Sequence, residues 1–325
     1  MNVSQQALAT QYLIIGGTTK AATTSLYRYL DDRPDICAST IKETRFFIDD
    51  DYPLSPLIAA KWSEGIEKYN ECFPKNYSSE CLRLEASPDY LYSGGTPARI
   101  KEYLPNAKIV FILREPISRL ISWYKFAKQK AYIPADISFA EYVEKQFKSG
   151  CLETAKAEKR KSDRADFVPQ SFYFSTLEQG CYSKYLKPYF EGLGRENVCI
   201  VFYEQLCSDP KSVLKEICDF AGIDPSFYDN YNFEVFNRSQ TMKSSNIHAI
   251  YSNCLNGVRK YTHKLPIRPL LRATRQWFDS TIYHPLNTRP QEKVEIYPTL
   301  ESKLKNYYQN EIKELENLLD RSLPW

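Results

Sequence analysis

Lys20 and Arg114 are the residues whose types and surroundings most directly imply chemistry. Lys20 follows the apolar run Tyr12-Leu-Ile-Ile and the pair Gly16-Gly17, and it precedes Thr23, Thr24 and Ser25. That order reads as a strand, a tight loop and a helix start. The first amides of a helix lack intrahelical partners and carry the positive end of its dipole. The segment Thr19, Lys20, Ala21, Ala22, Thr23, Thr24, Ser25 is therefore shaped to hold a phosphate-sized anion. Arg114 follows a second apolar run, Lys108-Ile-Val-Phe-Ile-Leu, and Ser122 lies eight residues further on. A guanidinium grips phosphate through paired donors, and a hydroxyl can join it. Two such groups at the ends of two strands imply one nucleotide held by two separate phosphates. Taken alone, the first loop also fits an ordinary strand–loop–helix junction with an incidental lysine.

The first loop departs from the pattern that binds metal–nucleoside triphosphates. That pattern requires Gly-Lys-Ser/Thr, with the hydroxyl on Mg²⁺. Here Thr19 precedes the lysine, and Ala21-Ala22 separate it from the hydroxyls.

The elements that must position these residues alternate along the chain. Strands are predicted at 11–16, 83–87, 108–113 and 197–203, and helices at 23–31, 57–73, 96–104, 116–129, 182–193, 210–221 and 297–320. Thr96-Pro97 opens one helix, and Ser138-Phe-Ala-Glu141 opens another as a capping box. The run Ile109-Val-Phe-Ile-Leu is apolar on both faces, as in a central parallel strand. Alternating strands and helices predict an α/β three-layer sandwich with a central parallel sheet and a P-loop-like phosphate-binding loop. No linker is evident, so 1–325 reads as one domain, with 240–325 a mostly helical C-terminal extension. Residues 151–171, with Lys156, Lys159, Arg160, Lys161 and Arg164, are expected to form a loop or lid beside the cleft.

Bulk properties exclude several classes. The 325 residues are 43% hydrophobic and 26% charged with a net charge of +3, which argues for neither nucleic acid nor a membrane surface. No run approaches the roughly 20 apolar residues of a membrane span, and the N-terminus lacks a secretory pattern. Nine cysteines without a Cys-x-x-Cys pair read as reduced thiols in a cytoplasmic setting. The histidines, His248, His263 and His284, have no zinc-ligand spacing. Arg259 to Arg275 holds six Lys/Arg residues and no acid, which reads as a solvated helix face or an anionic-acceptor patch.

Together the two segments resemble the nucleotide-binding motifs of the PAPS-dependent sulfotransferase superfamily (PAPS is 3′-phosphoadenosine 5′-phosphosulfate). The motif Arg-x-Pro-x-x-Arg-x-x-Ser-x-Tyr stands at 114–124. Further landmarks are Lys42-Glu-Thr-Arg-Phe-Phe47, Glu85-Ala-Ser-Pro-Asp-Tyr90, Gly180-Cys-Tyr-Ser-Lys-Tyr-Leu186 and Val201-Phe-Tyr-Glu-Gln-Leu206. The chain looks most like the bacterial and heparan-sulfate-type branch. The resemblance implies that Lys20 stabilises the leaving phosphate, that Arg114 and Ser122 hold the 3′-phosphate, and that Lys243 closes over the nucleotide. No metal is implied. It also implies Glu43 as general base, beside Phe46 and Phe47 in apolar surroundings.

Two departures qualify the likeness. Ala22 replaces the glycine usual in the loop. Ala86 stands where glycan-modifying relatives carry a lysine, with Lys42 or Arg45 the candidates to supply that charge to an acceptor. The expected function is sulfuryl transfer from PAPS to a hydroxyl or amine of a small molecule, such as an alkaloid toxin. Alternatives are a glycan or lipid-linked sugar acceptor, a P-loop kinase, and a silent nucleotide-binding module.

Overall fold

The structure, a computed structural model, describes residues 11–55, 60–74, 81–130, 132–134, 136–149, 152–162, 164, 167–233, 241–242, 281, 288–289 and 294–325. Its centre is a parallel sheet of β1 (Tyr12–Gly17), β2 (Ile36–Ala38), β3 (Leu82–Ala86), β4 (Lys108–Leu113) and β5 (Val198–Phe202) in the order β2-β3-β1-β4-β5. Ile15 of β1 lies opposite Ala86 on one side and Val110 on the other. The chain leaves β1 toward β2 and β3, then crosses back to add β4 and β5. The carboxyl ends of β1 and β4 thus flank the point where the winding reverses, which is where open parallel sheets form a ligand crevice.

The strands alternate between two buried faces, as a period of two requires. Leu13, Ile15, Val110, Ile112 and Val201 pack with α1 (Thr23–Asp31) and α9 (Pro210–Ala221) through Leu26, Leu30, Leu214 and Ile217. Ile14, Ile109, Phe111 and Phe202 face the other way. They meet α3 (Thr96–Tyr103), α4 (Pro116–Gln129), α7 (Tyr182–Leu193) and α10 (Pro298–Leu319). Helix–sheet–helix layering therefore follows from strands that are apolar on both sides. The remaining elements are α2 (Ile66–Asn70), α5 (Phe139–Ser149), α6 (Leu152–Arg160), α8 (Tyr203–Ser208) and a two-strand pair, β6 (Thr241–Met242) with β7 (Thr288–Arg289).

Most boundaries follow the sequence signals. The Ser138–Glu141 capping box forms: Ser138 N donates to the Glu141 carboxylate at 2.9 Å and Glu141 N to Ser138 Oγ at 3.2 Å. Three stretches differ from expectation. The helix expected over 57–73 breaks at Gly65, whose φ of 93° leaves a 3₁₀ turn at Trp62–Glu64 and the short α2. Residues 151–171, expected as a loop, contain α6, because Leu152 and Ala155 share one buried face, which Lys156 and Lys159 flank at helical spacing. Lys159 then donates to the Asp50 carbonyl at 2.7 Å, and Arg160 pairs with Asp51. Strand β2 is an addition to the expected strands, since three residues after a proline turn offer no alternation to detect.

Within 240–325, α10 matches the periodicity of the tail, and the basic run 259–275 lies outside the described residues. The described cysteines form no disulfide. No described helix is long and apolar enough to cross a membrane.

Gly16 is required by proximity. A Cβ there would meet Phe111 Cε1 at 2.6 Å and Ile109 Cγ2 at 3.2 Å, both in the packed layer under β1. Gly16→Ala is expected to destabilise the fold by about 1–3 kcal/mol through overpacking, read as a lower denaturant midpoint at unchanged m-value.

Candidate active site

The loop after β1 leaves the sheet while still tied to it, with Thr18 N donating to the Ile112 carbonyl of β4 at 2.9 Å. The Thr18 hydroxyl bonds the buried Tyr92 hydroxyl. Lys20 (φ 70°) and Ala22 (φ 62°) both adopt the left-handed conformation, and α1 begins at Thr23. No side chain caps α1, and its first turn carries no acid. The positive end of its dipole is therefore not met by an acid of its own first turn.

Lys20 is half-buried, and no described carboxylate pairs with it. Its ammonium lies 4.3 Å from the Phe126 ring centroid. Burial, reinforced by repulsion from Arg114 and Lys130, lowers its pKa to about 8. Arg114 stands immediately after β4 and donates from Nη1 to the Lys20 carbonyl at 3.0 Å. Its guanidinium carbon lies 4.2 Å from the Tyr203 ring centroid, and its Nε is buried without a partner. The Tyr182 hydroxyl donates to the Arg114 carbonyl at 2.7 Å.

Ser122 is buried on the second turn of α4, whose N-terminus is capped by the Glu115 carboxylate through Ile117 N and Ser118 N. The structure thus brings Thr19 to Ser25 together with Arg114, and it sets Ser122 on the helix that Arg114 leads into. Lys243 lies outside the described residues.

Glu43 occupies the loop after β2. That loop docks on the end of β3, with Ala86 N donating to the Lys42 carbonyl at 3.0 Å and Arg45 N to Ser87 Oγ at 2.9 Å. Because β3 is the other neighbour of β1, Glu43 stands at the same carboxyl edge as Lys20. Its carboxylate accepts from Arg45 Nη2 at 2.6 Å and from Lys42 Nζ at 3.2 Å.

The expected apolar surroundings do not hold. Phe46 and Phe47 are 1% and 0% exposed and turn inward onto Tyr69, while cations flank Glu43. Arg45 also pairs with buried Asp89 at 3.2 Å. Lys42 and Arg45, expected to face an acceptor, are engaged with acids of the protein itself.

Glu85 and Asp89 enter the site only once the chain is folded. Glu85 is fully buried in β3, and burial raises its pKa to about 7, against hydrogen bonds that favour the charged form. Oε2 accepts from Thr44 at 2.8 Å and Ser87 at 3.0 Å, while Oε1 has no partner. Burial likewise raises the Asp89 pKa, opposed by Arg45. The signal that residue order offers for them is two acids inside one short apolar segment. Among the described residues no cluster could hold a metal ion.

The sulfotransferase domain family matches residues 10–264. The chain belongs to that family. It is 29% identical over 229 residues to the mouse (Mus musculus) bifunctional heparan sulfate N-deacetylase/N-sulfotransferase 4, covering 68% of this chain and 23% of the relative. It is 24% identical over 281 residues to mouse heparan sulfate glucosamine 3-O-sulfotransferase 3B1, covering 85% of this chain and 61% of the relative. The chain thus spans less than two thirds of these relatives' own length. A solved sulfotransferase from Alicyclobacillus acidocaldarius superimposes with a TM-score of 0.62 at 22% identity, covering 96% of each chain, and it shares the fold.

The left-handed φ at Ala22 gives a physical reason for the family's glycine at this point of the loop. A residue with a Cβ is strained there by about 1–2 kcal/mol, partly offset because glycine costs more entropy to order. Ala22→Gly is expected to raise stability by up to about 1 kcal/mol, measured as a higher denaturant midpoint. An unchanged or lower midpoint would show that the loop is not strained at this residue.

Proposed function

We propose that this sulfotransferase domain moves a sulfuryl group from PAPS to a hydroxyl or amine of a small molecule in a cytoplasmic setting. The observation that carries the reading is the Arg114–Lys20 hydrogen bond, which holds two cations, neither in an ion pair with a described carboxylate, beside an uncapped helix start. A buried charge without a partner is unfavourable, and a bisphosphorylated nucleotide would neutralise both. The unpartnered Nε of Arg114 fits such a group as a donor awaiting an acceptor. Thr19 to Ser25 would hold the 5′ side, Arg114 and Ser122 the 3′-phosphate, and Lys243 the covering loop.

When bound, PAPS supplies the sulfuryl group and a phosphate leaving group. Lys20 would neutralise the charge that develops on that phosphate, a task at which a preorganised cation is effective in a dry site. Glu43 would take the acceptor's proton as the new sulfur–oxygen or sulfur–nitrogen bond forms. Arg45 and Lys42 hold its carboxylate in place. Because Glu43 and Asp89 neutralise these two cations, neither is spare for an anionic acceptor. This favours an acceptor without negative charge, of the secondary-metabolite kind, such as an alkaloid toxin. A second reading, a glycan or lipid-linked sugar acceptor, is favoured by the heparan sulfate relatives. Incubation with labelled PAPS and parallel panels of metabolites and oligosaccharides decides between them, and labelling of neither class would leave a silent nucleotide-binding module.

The depressed Lys20 pKa sets a pH dependence. Between about 8 and 10.5 the unfolded chain keeps a proton that the folded chain has released. The penalty of burying the ammonium is therefore full below about 8 and fades as pH rises through that window. An anion bound at Lys20 needs that proton. Calorimetry with 3′-phosphoadenosine 5′-phosphate is expected to show full affinity below about pH 8, weakening above it by up to about tenfold per unit. Proton uptake should accompany binding in that range, and affinity that is flat through it removes Lys20 from the anion site.

Glu43→Gln is expected to lower kcat about 10²–10⁴-fold while nucleotide affinity holds. Retained turnover removes Glu43 as the base.

A further inference from the structure

Glu311 of α10 is a buried carboxylate that the chemistry above does not use. Among the described residues no cation pairs with it. A buried charge needs compensating hydrogen bonds, and both of its oxygens find them on one residue 128 positions away in sequence. Ser183 donates from N to Oε1 at 2.8 Å and from Oγ to Oε2 at 2.7 Å. Ser183 is the second residue of α7, whose first turn carries no acid and whose preceding residue, Cys181, supplies no side-chain cap. The amides that start a helix lack partners of their own. A carboxylate from another element thus serves as the cap and meets the helix dipole.

The same helix meets this segment at a second point. Tyr308, one turn before Glu311 on the same buried face, donates to the Leu177 carbonyl at 2.6 Å. Its ring lies so close to Gly180 that a Cβ there would meet Tyr308 Oη at 2.7 Å. The stretch from Leu177 to Ser183 is therefore clasped by the C-terminal helix on one side. On the other it reaches both phosphate segments. The Gln179 carbonyl accepts from Tyr92 at 3.2 Å, and the Tyr92 hydroxyl bonds the Thr18 hydroxyl of the loop after β1. Tyr182, buried beside Ser183, donates to the Arg114 carbonyl at 2.7 Å. Fixing the first turn of α7 thus fixes the point from which the Tyr182 side chain reaches Arg114.

We propose that Glu311 is a positioning residue for Arg114. By capping α7 it sets where Tyr182 holds the Arg114 backbone, and with it the guanidinium assigned above to the 3′-phosphate. It touches no substrate, and it makes the C-terminal helix a part of nucleotide binding. The part concerning nucleotide affinity rests on the functional reading above, whereas the link from Glu311 to the Arg114 backbone does not.

The test uses Glu311→Ala, Glu311→Gln, Tyr182→Phe, the double variant Glu311→Ala with Tyr182→Phe, and Leu304→Ala, all in the full chain. Affinity for 3′-phosphoadenosine 5′-phosphate is measured by calorimetry. Hydrogen exchange of the ligand-free protein is followed at 182–185 and 113–117, relative to β5. Glu311→Ala and Tyr182→Phe are each expected to weaken affinity about two- to tenfold, the scale of one hydrogen bond. Because one acts through the other, the double variant should bind no more weakly than the weaker single. Glu311→Gln, which keeps an acceptor for Ser183 N, should recover part of the loss. Glu311→Ala should speed exchange in both segments, and Tyr182→Phe at 113–117 alone. Leu304→Ala removes a buried contact of the same helix, so it should lower the thermal midpoint and leave affinity unchanged. Additive losses in the double variant overturn the proposal, as does an equal loss of affinity in Leu304→Ala or unchanged exchange at 113–117 in Glu311→Ala. If Glu311→Ala does not fold, Glu311→Gln takes its place in the double variant and in the exchange comparison. If the unaltered protein ignores the nucleotide, the functional reading fails while exchange at 113–117 still decides the link to Arg114.

Discussion

The hydrogen bond from Arg114 to the Lys20 carbonyl is the contact on which the rest of the site depends. It spans the carboxyl ends of β1 and β4, the two strands between which the winding reverses. Burial lowers the Lys20 pKa, and repulsion from Arg114 lowers it further. The protein tolerates the arrangement because the backbone carbonyl of one cation accepts from the other. Aromatic faces, Phe126 beside Lys20 and Tyr203 beside Arg114, add quadrupole attraction without adding negative charge. A carboxylate in either place would have relieved the repulsion and occupied the anion site.

The opposite treatment is applied to the cations beside Glu43. Lys42 and Arg45 are drawn into pairs with Glu43 and Asp89, and Glu85 sits nearby with a pKa near neutrality. Among the described residues, one edge of the crevice thus holds cations without an ion-pair partner, although Glu204 interacts with Arg114 electrostatically, and the other is balanced within the protein. The difference follows from which strand each loop meets. The loop at Lys20 opens onto a helix start that adds positive potential. The loop at Glu43 closes over the end of β3, where Glu85 and Asp89 lie.

Much of this was legible from residue order. Apolar runs ending in Gly16-Gly17 and Arg114 place β1 and β4 nearly to the residue, since strands buried on both faces leave little ambiguity. The proximity of Lys20 and Arg114 follows once both are assigned to carboxyl ends of one parallel sheet. What could not be read was tertiary. The sequence neighbours Phe46 and Phe47 suggest an apolar setting for Glu43, but those rings turn toward Tyr69 while distant Asp89 reaches Arg45. Likewise α6 is hidden by its charges, because two buried positions in nine residues are too few to set a period. Ala22 is visible as a departure from the family, yet only its φ of 62° explains why a glycine suits that place.

The order β2-β3-β1-β4-β5 also has a consequence for biogenesis. The first of the described strands becomes the middle of the sheet, so β1 gains β3 only after some seventy residues of sequence (Tyr12 to Leu82) and β4 after nearly a hundred (Tyr12 to Lys108). During synthesis one apolar edge of β1 waits for β3 and the other stays unpaired until β4 has cleared the ribosome. Pairings of such long sequence separation close slowly and expose sticky strand edges meanwhile. A nascent chain therefore carries β1 with a half-paired, apolar edge while the segment between β3 and β4 is being made.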